Sequence, residues 1–171
     1  MAVLTVGHSN RSLADLIGML QAFGVKRVVD VRNIPRSRYN PQFNSDVFAK
    51  SLVEIDIHYT HAKDLGGFRH ARKDSVNTGW HNGSFQGYAD YMQTDEFGAA
   101  LDKLIRASQT EQVTIMCAEA VPWRCHRSLI ADALTARGLG VKHIMSATQA
   151  NPHVLTSFAQ VTGTRVTYPA K

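Results

Sequence analysis

Short β-branched runs alternate with amphipathic segments of helical period along nearly the whole chain, and this alternation constrains the fold more than any other feature. "VLTVGH" (3–8), "KRVVDVR" (26–32), "IHYTHA" (57–62), "QVTIMC" (112–117) and "VKHIM" (141–145) read as five strands. Between them, "SLADLIGMLQAFG" places Leu13, Leu16, Ile17, Leu20 and Phe23 on one stripe. Ser12 stands at its N-cap and Gly24 at its stop. "SDVFAKSLVEI" predicts a second helix capped by Ser45, and residues 88–92 and 94–107 predict further helical segments. Residues 126–137 predict another, ended by Gly138. The Gly- and Asn-containing stretch 63–87 has no steady period and reads as a long functional loop. A last extended piece, "TRVTYP", closes the chain.

Strands separated by helices of this length imply βαβ units. The expected fold is α/β: one domain over residues 1–171, a three-layer sandwich around a mostly parallel sheet of about five strands. At 171 residues the chain can bury a full core. No apolar run approaches a membrane span, and the first residues show no basic n-region or cleavage site, so a cytoplasmic protein with reduced cysteines is expected.

Parallel sheets bind ligands at the carboxyl ends of their strands. His8 and Ser9 follow the first strand, Asp30 and Arg32 end the second, His61 ends the third, and Cys117 and Glu119 lie at and just past the end of the fourth. Four segments thus direct polar groups to one rim. The chain carries 19 Lys and Arg against 14 Asp and Glu, and twelve of those cations are Arg, the side chain suited to bidentate contacts with phosphate. Arg32, Arg36 and Arg38 form one cluster, Arg69 and Arg72 another, and Arg124 and Arg127 flank Cys125 and His126. Cations at a helix start oppose its dipole and suggest a compensating anion, either Glu119 or a substrate phosphate.

The segment "VTIMCAEAVPWRCHRSLIADAL" (113–134) admits several chemistries. Two thiols, a carboxylate and an imidazole equal a zinc site in number, but the spacing lacks a chelating C-x2-C or H-x3-H bite, so no metal or other cofactor is expected. Strand, Cys117, loop, Arg124 and helix resemble the oxyanion cradle of cysteine phosphatases and sulfurtransferases. Arg124 follows Cys117 by seven positions where that pattern needs six, and Pro122 and Trp123 replace loop glycines. Cys117 reads equally well as a small buried hydrophobe. Asp30 and Glu119 offer carboxylate chemistry, activating water or stabilising a developing cation, against the plainer reading of ion pairs that lock loops. In the expected arrangement Glu119 is held by Arg127 or Arg32, with Cys117 packed beneath it.

Aromatic residues interleave with these cations. Tyr39, Phe43, Trp80 and Tyr88 are candidate base-stacking groups, and Ser9, Arg32, Arg36, Arg38, Arg69, Arg124, His126 and Arg127 candidate phosphate ligands. The catalytic candidates are Asp30, Glu119, Cys117 and His8.

"TVGHSNRS", "VVDVRNIPRSRYNPQFN", "LGGFR", "NTGWHNGSFQGYADYM" and "MCAEAVPWRCHRSLIADAL" together resemble the domain-of-unknown-function 488 family, in order and along essentially the whole chain. The resemblance implies an α/β sandwich and little about reaction. The residues therefore carry the functional expectation: a soluble enzyme acting on nucleic acid or a nucleotide-like phosphorylated substrate, by hydrolysis, with DNA-repair or N-glycosidic chemistry as the specific form. The alternatives are a Cys117-dependent phosphatase or sulfurtransferase-like enzyme and a non-catalytic polyanion-binding module. Oligomeric state is not legible.

Overall fold

A computed structural model describes residues 2–171. Strands β1 (Val3–Gly7), β2 (Arg27–Asp30), β3 (His58–His61), β4 (Val113–Cys117), β5 (Val141–Ser146) and β6 (Gln149–Pro152) form one sheet in the order β3-β2-β4-β1-β5-β6. The first five run parallel, and β6 pairs antiparallel at the edge. A separate hairpin joins β7 (Gln160–Thr162) to β8 (Arg165–Thr167). The sheet is mostly parallel as expected, with β6 as a sixth strand at its edge.

Helices cover both faces, which makes three layers. On one face α1 (Leu13–Ala22) and α2 (Ser45–Val53) bury Leu16, Leu20, Phe48 and Leu52 against Leu4, Val6, Val28 and Met116. On the other, α3 (Gly83–Tyr91), α4 (Asp95–Thr110) and α5 (Arg127–Ala136) bury Tyr88, Leu101, Leu104, Leu129 and Ile130 against Val3, Val29, Val31 and Ile115. Successive side chains of a strand point to opposite faces, so Val28 and Val29 enter different cores. Near-continuous apolar strands are what a parallel sheet covered on both faces requires.

Local signals explain most boundaries. The Ser12 side chain accepts from the Asp15 N–H and starts α1, and Gly24, at φ 66°, follows its end. The cap of α2 differs from expectation. Ser45 is its first helical residue and Asn44 its N-cap, without a side-chain cap bond, because Asn44 Oδ1 accepts instead from the Ser37 N–H. The stretch 63–87 is shorter as a loop than its composition suggests. A 3-10 turn spans Lys63–Leu65, and α3 begins at Gly83, where the Asn82 side chain accepts from the N–H groups of Ser84 and Phe85.

Candidate functional site

A cavity of about 720 Å³ opens at the carboxyl ends of β1, β2 and β4. His8, Ser9, Arg32, Cys117 and Glu119 line it from the strand ends, Arg124 and His126 from the approach to α5, and Arg36 and Tyr88 from flanking segments. The volume is within the range of small-molecule sites. Asp30, Arg38, Tyr39, Phe43, Arg69, Trp80 and Arg127 are not part of its wall.

Asp30 is fully buried and saturated. Arg32 grips it in a fork, with Nη2 donating to Oδ2 at 2.6 Å and Nε to Oδ1 at 2.9 Å. The Arg32 backbone N–H and the Tyr59 hydroxyl donate to it as well, the latter at 2.5 Å. This corrects the expectation of a catalytic Asp30, because its oxygens serve the ion pair and do not reach the cavity. Burial, together with the Asp30 charge, pushes the Tyr59 hydroxyl well above its usual range, so it stays a donor. Arg32 is largely spent too, since Nη2 also donates to the Phe43 carbonyl at 2.7 Å and Nη1 to His8 Nε2 at 3.3 Å. One N–H of its five is left for a ligand.

His8 is held as a neutral imidazole. Its Nδ1 donates to the Ser9 carbonyl at 2.7 Å, its Nε2 accepts from Arg32, and the ring stacks on Phe43 with centroids 4.6 Å apart. Burial and then the Arg32 charge outweigh its bond to Ser9, so its pKa falls below the ordinary value. Ser9, next in the chain, sits at φ 50°, a conformation non-glycine residues seldom take.

The loop after β4 departs from the expected ion pair. Glu119 is exposed, and among the described residues its carboxylate joins no salt bridge. Arg127 is fully buried: Nη1 donates to the Cys117 sulfur at 3.4 Å and Nη2 to the Ala120 carbonyl at 3.0 Å. The guanidinium thus holds the loop backbone rather than its carboxylate, and it offers nothing to a phosphate. Cys117 is packed at the floor with 2% of its surface exposed. Burial pushes its thiol pKa up, but the Cys125 thiol and the Arg127 charge outweigh that, and the net shift is downward. Cys125 moves the opposite way, well above its usual value, because it hydrogen-bonds Cys117 and is itself buried. The Glu119 carbonyl lies 3.5 Å from the Cys117 sulfur. The sulfur thus meets one guanidinium N–H and one loop carbonyl, rather than the ring of loop N–H groups that makes an oxyanion cradle.

Close approach shapes this floor. A Cβ at Gly7 would lie 1.6 Å from the Glu119 carbonyl oxygen and 2.7 Å from Arg127 Nη1. Only glycine lets β1 pass beneath the loop.

The mouth carries the free cations and one aromatic residue that composition did not single out. Arg36 and Arg124 are exposed and in no ion pair among the described residues. Phe68, in the Leu65–Arg69 turn, is 79% exposed, lines the cavity and sits at φ 59°. Its place directly after two glycines was the available signal. The base-stacking expectation is corrected at two positions: Phe43 and Tyr88 are core residues with 0% and 1% exposure. Trp80 packs against Phe85, Phe158 and Tyr168 and lies outside this cavity. Tyr39 is 88% exposed but lies outside the cavity, as does the exposed Arg38. Arg69 is engaged over the Tyr91 ring, 3.7 Å from its centroid. His126 donates from Nε2 to the Val31 carbonyl at 2.9 Å, and burial lowers its pKa to about 4. His61 is bound to the Arg32 carbonyl and faces a different depression, beside β3.

Among the described residues no three His, Cys, Asp or Glu side chains converge as a metal site. No helix among them is long and apolar enough to cross a membrane. Residues 12–134 match the family model described as "Domain of unknown function DUF488". No curated protein and no solved structure matches the chain.

Proposed function

The chain belongs to the DUF488 family, and from the geometry of its rim we propose that this member is a hydrolytic enzyme acting on nucleic acid or a nucleotide-like phosphorylated substrate. One observation carries the reading. Glu119, without an ion-pair partner among the described residues, faces the same cavity as two arginines likewise unpaired there, Arg36 and Arg124, and the exposed ring of Phe68. Arg36 and Arg124 take phosphate, and Phe68 stacks a base. Glu119 takes a proton from water as it attacks the anomeric carbon; the carbon–nitrogen bond breaks and the departing base receives the proton. The left-handed backbone at Ser9 and Phe68 adds support, because strained residues of this kind concentrate at functional sites. A damaged or unpaired base is the easiest to bring into such a cavity, which gives the DNA-repair form of the proposal its physical basis.

A second reading rests on the Arg127–Cys117 contact, which favours a thiolate. The Glu119 carbonyl at the sulfur, where a phosphatase loop would present N–H groups, weighs against it as a phosphatase.

One comparison tests both. Base release from single-stranded oligonucleotides carrying damaged bases should fall about a hundredfold or more in Glu119→Gln, the usual scale for a general acid or base, while Cys117→Ser keeps most of it. The reverse ranking transfers the chemistry to the thiol. Oligonucleotide binding without turnover in any variant leaves a polyanion-binding module.

A further inference from the structure

Both tryptophans of the chain, Trp80 and Trp123, line a second cavity of about 410 Å³ that lies outside the site just described. Trp123 is 66% exposed and Val154, on the same wall, 83%. Two structural links join this cavity to the first. The turn Pro122–Arg124 borders both, with Pro122 and Trp123 facing the second and Arg124 the first. Trp80 also meets Phe85, a wall residue of the first cavity, edge to face at 5.1 Å.

His143 and His153 belong to the second cavity, yet their ring nitrogens are committed. Thr5 Oγ1 donates to His143 Nδ1, His143 Nε2 to His153 Nδ1 at 2.8 Å, and His153 Nε2 to Asp132 at 2.7 Å. Asp132 is filled further by the Thr156 and Tyr168 hydroxyls. The chain closes on itself and leaves ring faces, not donors, for a ligand. Among the described residues of this wall, the Trp80 indole N–H is buried without a partner.

We infer that this cavity takes the base adjacent to the reacting nucleotide in a single-stranded nucleic acid, with the intervening phosphate on Arg124. The inference rests on the reading of the first cavity as a nucleotide site. Aromatic faces with few open polar groups suit a base of any sequence, because stacking does not read base edges. The position of the unpaired Arg124 between the two cavities supplies the charge complementarity. The protein would then act on a strand and not on a free mononucleotide.

Intrinsic tryptophan fluorescence reports on this cavity directly, because both indoles are in its wall. A single-stranded trinucleotide should quench it saturably and bind more tightly than a 5′-phosphorylated mononucleotide, which should leave it unchanged. Measured by equilibrium dialysis, Trp123→Ala should weaken the trinucleotide about tenfold and the mononucleotide not at all, and Trp123→Phe should restore binding. Equal affinity for the two probes, or an unaffected Trp123→Ala variant, overturns the inference, as does binding of neither probe. Trinucleotide quenching that survives Arg36→Ala, with no mononucleotide binding, upholds the second cavity and removes the reading of the first.

Discussion

The Nη1 of Arg127 donates to the sulfur of Cys117 across 3.4 Å, and the same guanidinium reaches the Ala120 carbonyl through Nη2 at 3.0 Å. A cation at the start of α5 is thereby turned inward, with no carboxylate in ion-pair range among the described residues. Its fork is what ties the loop after β4 to the helix that follows.

An ammonium cannot reproduce that fork. Arg127→Lys should leave the sulfur or the carbonyl without its donor and cost about 1–3 kcal/mol of stability, the scale of one unsatisfied buried group. Urea unfolding measures it. A lysine variant as stable as the parent would mean that the loop is held by something else.

Acidification should destabilise the protein through its histidines before its carboxylates titrate. Burial lowers the pKa of His143 to about 3 and of His126 to about 4, and lowers that of His8 as well. Unfolded, each titrates near pH 6.5, so below that value the unfolded chain binds more protons and stability falls with pH. Each such histidine contributes a slope of up to about 1.4 kcal/mol per pH unit once the unfolded ring is protonated, and that contribution ends only near the folded pKa. Urea titrations between pH 7 and pH 5 should show this loss, and His143→Gln should reduce it. A flat profile over that interval contradicts buried neutral rings.

Two glycine-to-alanine substitutions should have opposite signs. At Gly7 the new methyl group meets backbone atoms of Glu119 at 1.6 and 2.5 Å, so the loop must move or the strand bend. A cost of about 3 kcal/mol is expected, at the upper end for overpacking. At Gly18, within α1, nothing lies within 4 Å, and alanine should stabilise by about 1 kcal/mol through helix propensity. Thermal melts of the two variants decide the matter.

The architecture was legible because its signals are local. Apolar period and caps such as Ser12 operate within a few residues, and the rim follows from strand direction alone. Partner choice was not legible. Arg32 and Arg127 were both candidates for Glu119, yet Arg32 folds back on Asp30 two residues away and Arg127 takes a backbone carbonyl. Those choices depend on distances across the sheet. Strands β6 and β7 also escaped notice, because their mostly exposed, polar residues lack the alternation a buried strand shows. Burial of a candidate stacking ring is illegible for a related reason. Composition places Phe43 near arginines but does not reveal that His8 covers its ring.

Phe68 separates stability from function most cleanly. A bulky residue at φ 59° is costly wherever it is found, and burial gives no recompense here, since 79% of the side chain is exposed. Glycine adopts this backbone without penalty, so Phe68→Gly should raise stability by about 1 kcal/mol, the lower end for a strained residue. If the ring stacks a base, the same substitution should weaken mononucleotide binding about tenfold, the scale of one lost stacking contact. Asp56, also in the left-handed region at φ 60°, provides the control, because it does not line the cavity. Asp56→Gly should stabilise comparably and leave binding untouched. A thermal melt and a dialysis measurement on each variant are sufficient. Stabilisation of both with binding unchanged in both would make Phe68 an ordinary turn residue and remove the aromatic half of the proposed site.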